Sequence, residues 1–172
     1  MVKTIGIMLV LVSAYAIGSL FAQQVKDREK WLKDIKTALF LLMGELEYHK
    51  QPLPEALELV GGRHGGRLER FFRETAEELK KKEGISMKDI WQQKAGLVLK
   101  ESPLSREQKE EFAELGLYFM EADKAVRKNA LEFYLNRLEE DIISLRETGA
   151  DKAYLYRTMG MLGGMFLLIL VL

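Results

Sequence analysis

Two uncharged apolar runs, one near each end of the chain, most strongly limit what this sequence can fold into. The first run covers residues 4–22 and the second covers residues 158–172. A helix of about 20 apolar residues spans the roughly 30 Å hydrocarbon core of a bilayer. The sequence therefore predicts an N-terminal membrane anchor at 1–22, a C-terminal anchor at 158–172 and one polar domain at 23–157.

The C-terminal run is short, but the residues before it are typical of a water–lipid interface. Its 15 residues, at about 1.5 Å each, span about 22 Å. Aromatic and basic side chains precede it, namely Lys152, Tyr154, Tyr156 and Arg157. Because such side chains favour the interface and long basic ones extend toward water, we expect the helix to begin near Ala153.

The N-terminal run has two interpretations, and the charges around it favour one of them. As a cleaved secretory signal it has one basic residue, Lys3, an apolar core and a small-residue site at Ala22. As a retained anchor it has its basic flank on the domain side, at Lys26, Arg28, Lys30, Lys33 and Lys36. Because basic flanks stay in the cytoplasm, we expect a two-pass cell-membrane protein with a cytoplasmic middle domain and both termini outside.

Charge and cysteine content exclude several classes of site. The chain has 26 Lys plus Arg against 26 Asp plus Glu. It therefore lacks the basic excess that would indicate a nucleic-acid partner. It has no Cys, which excludes disulfides, thiolate nucleophiles and cysteine-based metal sites.

Hydrophobic periodicity predicts an all-α fold. The prolines, Pro52, Pro54 and Pro103, fall where helices start or stop, and strand-like alternation is absent. In the first helix one apolar stripe contains Trp31, Ile35, Leu39, Leu42 and Leu46. We expect this helix to continue from the membrane anchor and to end near Lys50.

Glycines divide the centre of the chain into short helices. We expect a second helix over 52–60, broken by the glycine cluster at 61–66. A third helix over 68–82 is expected to stop at Gly84.

Capping residues mark the next two helices. Ser86 is predicted to cap the fourth helix, with Asp89 at the capping-box position, and Ser105 with Gln108 forms a full capping box for the fifth.

The last helix is predicted to be the longest. It begins near Asp123, and its coiled-coil-like seam contains Leu131, Leu135, Leu138, Ile142 and Leu145. Gly149 is expected to kink or pause it before the C-terminal anchor. These patterns together predict a helical bundle whose first and last helices enter the bilayer as an antiparallel pair.

Small residues recur every four positions in both anchors. Because small side chains let two helix backbones approach closely in lipid, we interpret five of them as candidate transmembrane packing residues: Ala14, Gly18, Ala22, Gly160 and Gly164. Self-association of two chains is one interpretation. We favour the other, in which the two anchors of one chain pack against each other.

No residue pattern indicates catalysis, a metal or a cofactor. The histidines, His49 and His64, form no HExxH motif, and neither a nucleophile elbow nor a dinucleotide fingerprint occurs. We therefore predict a protein that is not an enzyme and has no catalytic residues, cofactor or metal. Four carboxylates on predicted helix surfaces form a candidate docking patch for a basic partner: Glu45, Glu47, Glu55 and Glu58.

The order and spacing of several motifs resemble the stage III sporulation protein AB family over essentially the whole chain. A leucine-rich helix with an acidic pair and a tyrosine precedes a Pro-Leu-x-Glu-Ala turn: Leu39, Leu42, Glu45, Leu46, Glu47 and Tyr48, then Pro52, Leu53, Glu55, Ala56 and Leu57. Other matches to the family pattern are Trp91, Leu115, Gly116, Asp123, Tyr156, Arg157 and Gly160. The central motif departs from that pattern at Phe119, Met120 and Arg127.

This family is in turn similar to the cytoplasmic domains of type II secretion F proteins, which implies a six-helix bundle without catalytic activity. The resemblance implies a platform subunit of the mother cell–forespore channel, in the mother-cell membrane around the forespore. The implied partners are the membrane, the secretion-type ATPase stage III sporulation protein AA and other channel subunits, while homo-oligomerisation stays open. With a cleaved signal peptide, the alternative is an exported helical scaffold or pore component in the intermembrane space.

Overall fold

The computed structural model is all-helical in the residues that it describes, which confirms the predicted fold class. It describes the backbone of residues 2–64, 66–81, 84, 86–119 and 123–171. Side chains are described for residues 16, 19, 20, 22–63, 66–81, 84, 86–119 and 123–148. The described helices are α1 (Val2–Glu47), α2 (Leu53–His64), a 3₁₀ turn (Gly66–Leu68), α3 (Glu69–Lys81), α4 (Met87–Leu99), α5 (Arg106–Tyr118) and α6 (Lys124–Val171).

The chain divides into two compact units. The bundle unit consists of residues 30–141, and the terminal unit consists of residues 1–29 and 142–172. In the bundle unit, α1 and α6 run antiparallel, because Lys36 pairs with Glu139 while Glu47 pairs with Arg127. In the terminal unit, Arg146 Nε lies 2.6 Å from Glu29 Oε1.

The apolar stripe predicted for the first helix is confirmed. Trp31, Ile35, Leu39 and Leu42 are all buried, while Leu46 is partly exposed. The stripe is regular because residues three and four apart share one face of a helix.

The end of α1 differs from the prediction by three residues. The helix ends at Glu47, and Lys50 adopts a left-handed backbone with φ 52°. The Gln51 N–H donates to the Glu45 carbonyl at 3.1 Å. This bond satisfies a carbonyl of the last helical turn, as helix C-terminal motifs do.

The predicted break at residues 61–66 is wrong in its first part, because α2 continues to His64. Gly61 is buried against α3, where a Cβ atom would lie 2.8 Å from Arg73 Cγ and 3.2 Å from the Glu69 carbonyl oxygen. Its role is therefore to let two helices approach closely. The chain leaves the helix only near Gly66, whose φ is +70°.

The two predicted caps have different outcomes. Ser105 and Gln108 form the full capping box at the start of α5. Ser86 occupies the N-cap position of α4, but its side chain makes no capping hydrogen bond. The Ser86 carbonyl instead accepts from the Asp89 N–H at 3.0 Å.

An aromatic cluster around Trp91 joins α3, α4 and α5. The Trp91 side chain is fully buried, and its ring centroid lies 4.8 Å from Phe71, 5.4 Å from Phe112 and 4.9 Å from Phe119. Its indole N–H donates to the Phe112 carbonyl at 2.8 Å. The polar atom of the ring is thus satisfied inside an apolar core, as a buried indole requires.

The seam predicted for the last helix is confirmed, but the predicted interruption is not. Leu131, Leu135, Leu138 and Ile142 are buried, and Leu145 is partly exposed. The Asp123 carboxylate accepts from the Ala125 N–H at 2.8 Å and caps the helix start. The helix continues through Gly149 without a pause, since one glycine only weakens a helix.

The structure describes few side chains in the two predicted membrane anchors. In the part of the chain that the structure describes, no helix is both long enough and apolar enough to cross a membrane. Most side chains of 4–22 and all of those of 158–172 lie outside the described residues. The anchors and the domain limits 1–22, 23–157 and 158–172 therefore stay predictions.

The close contact between α4 and α5 gives a test of the core. A Cβ atom at Gly116 would lie 2.7 Å from Trp91 Cβ, so Gly116→Ala should lower the free energy of unfolding by about 1–3 kcal/mol. Gly96→Ala is the matched control, because a Cβ there meets no atom within 4 Å. It should be neutral or stabilising by up to about 1 kcal/mol.

Urea unfolding of the full chain in detergent, followed by tryptophan fluorescence, measures both variants. Trp31 and Trp91 are both buried, so their emission reports loss of the core. Equal stability of the two variants would show that the helices do not approach as closely as described.

Candidate functional site

A buried ion cluster lies where α1 meets α2. The Glu45 carboxylate, in a residue only 5% exposed, lies 2.6 Å from Arg63 Nη1 and 2.7 Å from His49 Nδ1. Glu45 follows Leu42 by three residues and therefore shares the buried face of α1. The expectation that Glu45 lies on the helix surface is wrong, and its two partners offset the cost of burying a carboxylate.

Glu47 is also directed into the protein. Its Oε1 lies 3.4 Å from Arg127 Nη2, and the two side chains are only 20% and 17% exposed. Among the described side chains, Arg127 Nε is a buried donor without a hydrogen-bond partner. One long ion pair therefore connects the end of α1 with the start of α6.

Glu55 and Glu58 lie on the exposed face of α2. The Lys80 ammonium of α3 donates to the Glu58 carboxylate at 2.5 Å, which lowers the pKa of Glu58 and raises the pKa of Lys80. The charge of Glu55 acts on the same lysine. The four predicted docking residues thus separate into an inward pair on α1 and an outward pair on α2, and the docking role stays a prediction.

A polar groove of about 370 Å³ opens beside α3 and α4. Lys94, at its base, is 17% exposed and lies 3.1 Å from both Glu74 and Glu78. The pKa of Glu74 is lowered by hydrogen bonds from Arg70 and then Lys94, and Glu78 is the main cause of the raised pKa of Lys94. The groove holds paired charges and offers ionic contacts.

The sequence does not predict this groove. Glu74 and Glu78, four residues apart, share one face of α3, but the lysine that pairs with them lies on the next helix. Its position depends on how α3 packs on α4, which no local pattern contains.

A polar network also lies between α5 and α6. Gln108 Nε2 donates to the Asp141 carboxylate. Burial raises the pKa of the Tyr134 hydroxyl and of the Glu111 carboxyl, and Asp141 adds to both effects. Glu111 also lies 3.8 Å from Arg137 Nε. These groups connect two helices and form no pairing of a nucleophile with a base.

The other predicted site residues are placed as follows. His49 is 62% exposed at its side chain, and the side chain of His64 lies outside the described residues. Within the described part, no three His, Cys, Asp or Glu side chains are arranged to hold a metal ion. Ala22 is partly exposed, whereas the side chains of the other candidate transmembrane packing residues are outside the described part: Ala14, Gly18, Gly160 and Gly164.

In the Glu45 cluster, removing the cation should cost more stability than removing the carboxylate. Arg63→Met leaves a buried carboxylate without its cation, so the free energy of unfolding should fall by about 2–3 kcal/mol. Glu45→Met leaves only Arg63 and His49, whose side chains are 58% and 62% exposed and can turn to water. Its cost should stay below about 1 kcal/mol.

The double variant, Glu45→Met with Arg63→Met, is the control and should be about as stable as Glu45→Met alone. Urea unfolding of the full chain measures all three. A larger loss for Glu45→Met than for Arg63→Met would contradict the description of a buried, paired carboxylate.

The sequence and the fold are each similar to known proteins. The family model described as stage III sporulation protein AB matches residues 3–172. A solved structure of stage III sporulation protein AB is 19% identical, with a TM-score of 0.65, and the match covers 72% of this chain and 97% of that chain. No curated protein matches the sequence. At this identity, the structural likeness supports the fold.

Proposed function

The chain belongs to the stage III sporulation protein AB family, and we propose that it is a non-enzymatic membrane platform subunit of the mother cell–forespore channel. The observation that carries this proposal is the extent of the family match. It spans residues 3–172 and so includes both apolar runs as well as the helical bundle. A role in sporulation follows from the family, and the platform role adds an anchor at each end and a bundle between them.

The proposed platform faces the cytoplasm of the mother cell. Five basic residues follow the first apolar run within 14 positions, at Lys26, Arg28, Lys30, Lys33 and Lys36. Lys152 and Arg157 precede the second run. Both flanks are on the domain side, which the positive-inside rule places in the cytoplasm.

The proposed partner is a secretion-type ATPase, stage III sporulation protein AA or a protein like it. Its docking surface would be the exposed face of α2, where Glu55 and Glu58 meet solvent. Charged side chains at the rim of an interface guide association with a partner of opposite charge. The inward carboxylates, Glu45 and Glu47, act instead within the bundle.

The polar contacts inside the bundle also favour a passive scaffold. Several of its partly or fully buried polar side chains pair across helices, such as Glu47 with Arg127 and Gln108 with Asp141. Such pairs fix helix positions, and a platform requires fixed positions. The likeness to type II secretion F-protein domains is part of this proposal.

Charge reversal on α2 tests the docking surface. Glu55→Lys should weaken binding of the ATPase by roughly tenfold, the effect of about 1.4 kcal/mol, because it replaces an anion with a cation at an exposed position. Glu101→Lys is the matched control, since Glu101 is exposed after α4 and lies outside the proposed surface. Reversal of Glu45 is unsuitable because that residue is buried.

Binding is measured with the purified ATPase and the full chain in lipid nanodiscs, and circular dichroism checks that each variant is folded. Loss of binding in both variants, or in neither, would contradict docking on α2. Failure of the parent chain to bind any such ATPase would contradict the platform role itself. A mature chain without residues 1–22 in sporulating cells would favour the exported scaffold.

A further inference from the structure

One stripe of α6 faces solvent although it carries no charge. Val126 and Phe133 are 45% and 75% exposed, and Asn129 and Asn136 between and after them are exposed as well. At about 100° per residue, Phe133 points almost opposite to the buried Leu131. The stripe therefore lies on the far side of α6 from the bundle core.

The spacing of this outward stripe is that of a helix–helix seam. Its four members are separated by three, four and three residues, the a and d positions of a heptad repeat. None of the four members carries a charge, although charged residues make up 30% of the chain. An exposed phenylalanine at its centre supplies the largest apolar contact.

The stripe is complementary to itself. In a parallel, in-register pair, Val126 and Phe133 would each meet their own equivalents. Asn129 and Asn136 would do the same, and an amide both donates and accepts hydrogen bonds. No like charges would oppose each other along these four positions.

The flanking charges agree with the same arrangement. Glu132 and Arg137 occupy the g and e positions, five residues apart, which pair between the helices of a parallel coiled coil. Their side chains are 47% and 43% exposed. Within the chain, Glu132 lies 3.6 Å from Lys128 Nζ, and Arg137 lies 3.4 Å from Glu107 and 3.8 Å from Glu111. These pairs are long and lie at partly exposed side chains, so a second copy can compete for both charges.

We infer that this outward stripe, Val126, Asn129, Phe133 and Asn136, binds the same stripe of a second copy of the chain as a parallel, in-register helix pair. The parallel direction rests on the proposed function, because copies anchored in one membrane share one orientation. The seam ends after Asn136, since the next position is Glu140, where two copies would place like charges together. A contact of three turns is small, and shared anchoring in the membrane raises the effective concentration at which it forms.

Engineered thiols test the pairing in the full chain in native membranes. The chain has no Cys, so Asn129→Cys and Asn136→Cys each introduce one thiol. In the parallel pair each thiol meets its own equivalent within disulfide range, and oxidation should give dimers of each single variant. Gln93→Cys, at an exposed position on α4, is the control and should remain mainly monomeric.

Mixing the two variants with distinguishable tags determines the register, and crosslinking of the single variants determines the direction. The in-register parallel pair gives 129–129 and 136–136 dimers, whereas mainly mixed 129–136 dimers would indicate a parallel pair shifted by seven residues and would overturn the proposal. An antiparallel pair of this stripe would place position 129 opposite 133 and position 136 opposite 126, so neither single variant would crosslink. Crosslinking no greater than that of Gln93→Cys would also overturn it. ATPase binding is measured separately, so this inference and the proposed function can fail independently.

A second substitution separates this seam from contacts elsewhere. Phe133→Glu in the Asn129→Cys chain places like charges at the centre of the stripe and should lower the dimer yield by about tenfold. Leu97→Glu alters another exposed apolar residue, 66% exposed on α4, and should leave the yield unchanged. An equal yield with Phe133→Glu would show that the thiols meet through another contact.

Discussion

The packing of the Trp91 indole is the interaction on which the bundle most depends. It touches aromatic rings from α3 and α5, and its N–H is bound by a carbonyl of α5. Gly116 permits this arrangement because the space that a Cβ would occupy is filled by Trp91. Three short helices, each too short to be stable alone in water, thereby gain one shared core.

The packing of the two long helices, α1 and α6, depends on different interactions. In the bundle unit, α1 and α6 are joined near both ends of their contact by ion pairs, Lys36 with Glu139 and Glu47 with Arg127. Apolar seams beneath these pairs supply most of the burial. The ion pairs fix which residues lie opposite each other, so charge sets register while apolar area supplies stability. On α6 this leaves one buried seam and, on the other side, one uncharged seam that is exposed.

Features that depend on neighbours along the chain could be predicted from the sequence. The α1 stripe, the Ser105 capping box and the α6 seam each follow from spacings of three or four residues, and the structure confirms them. The all-α class follows from the same periodicity. Family membership could also be predicted, because the order of motifs along the chain indicates it, and the family model confirms it.

Features that depend on packing between helices could not be predicted. Gly61 resembles a helix breaker in sequence, but tertiary contact with Arg73 makes it a packing residue. Glu45 resembles a surface carboxylate until Arg63, 18 residues later, is seen to pair with it. Ser86 has the sequence of a capping residue without the capping bond. At Gly61 and Glu45 the difference arises because a contact distant in sequence overrides a local preference.

The central claim is that the bundle lies on the cytoplasmic side of a membrane that holds both ends of the chain. Single thiols report this directly, because the natural chain has none. Lys100→Cys places one on the exposed end of α4, and Val2→Cys places one near the N-terminus. In intact, non-sporulating cells, a membrane-impermeant maleimide should label the thiol at position 2 and reach position 100 only after permeabilisation. Labelling at position 100 in intact cells would contradict the account.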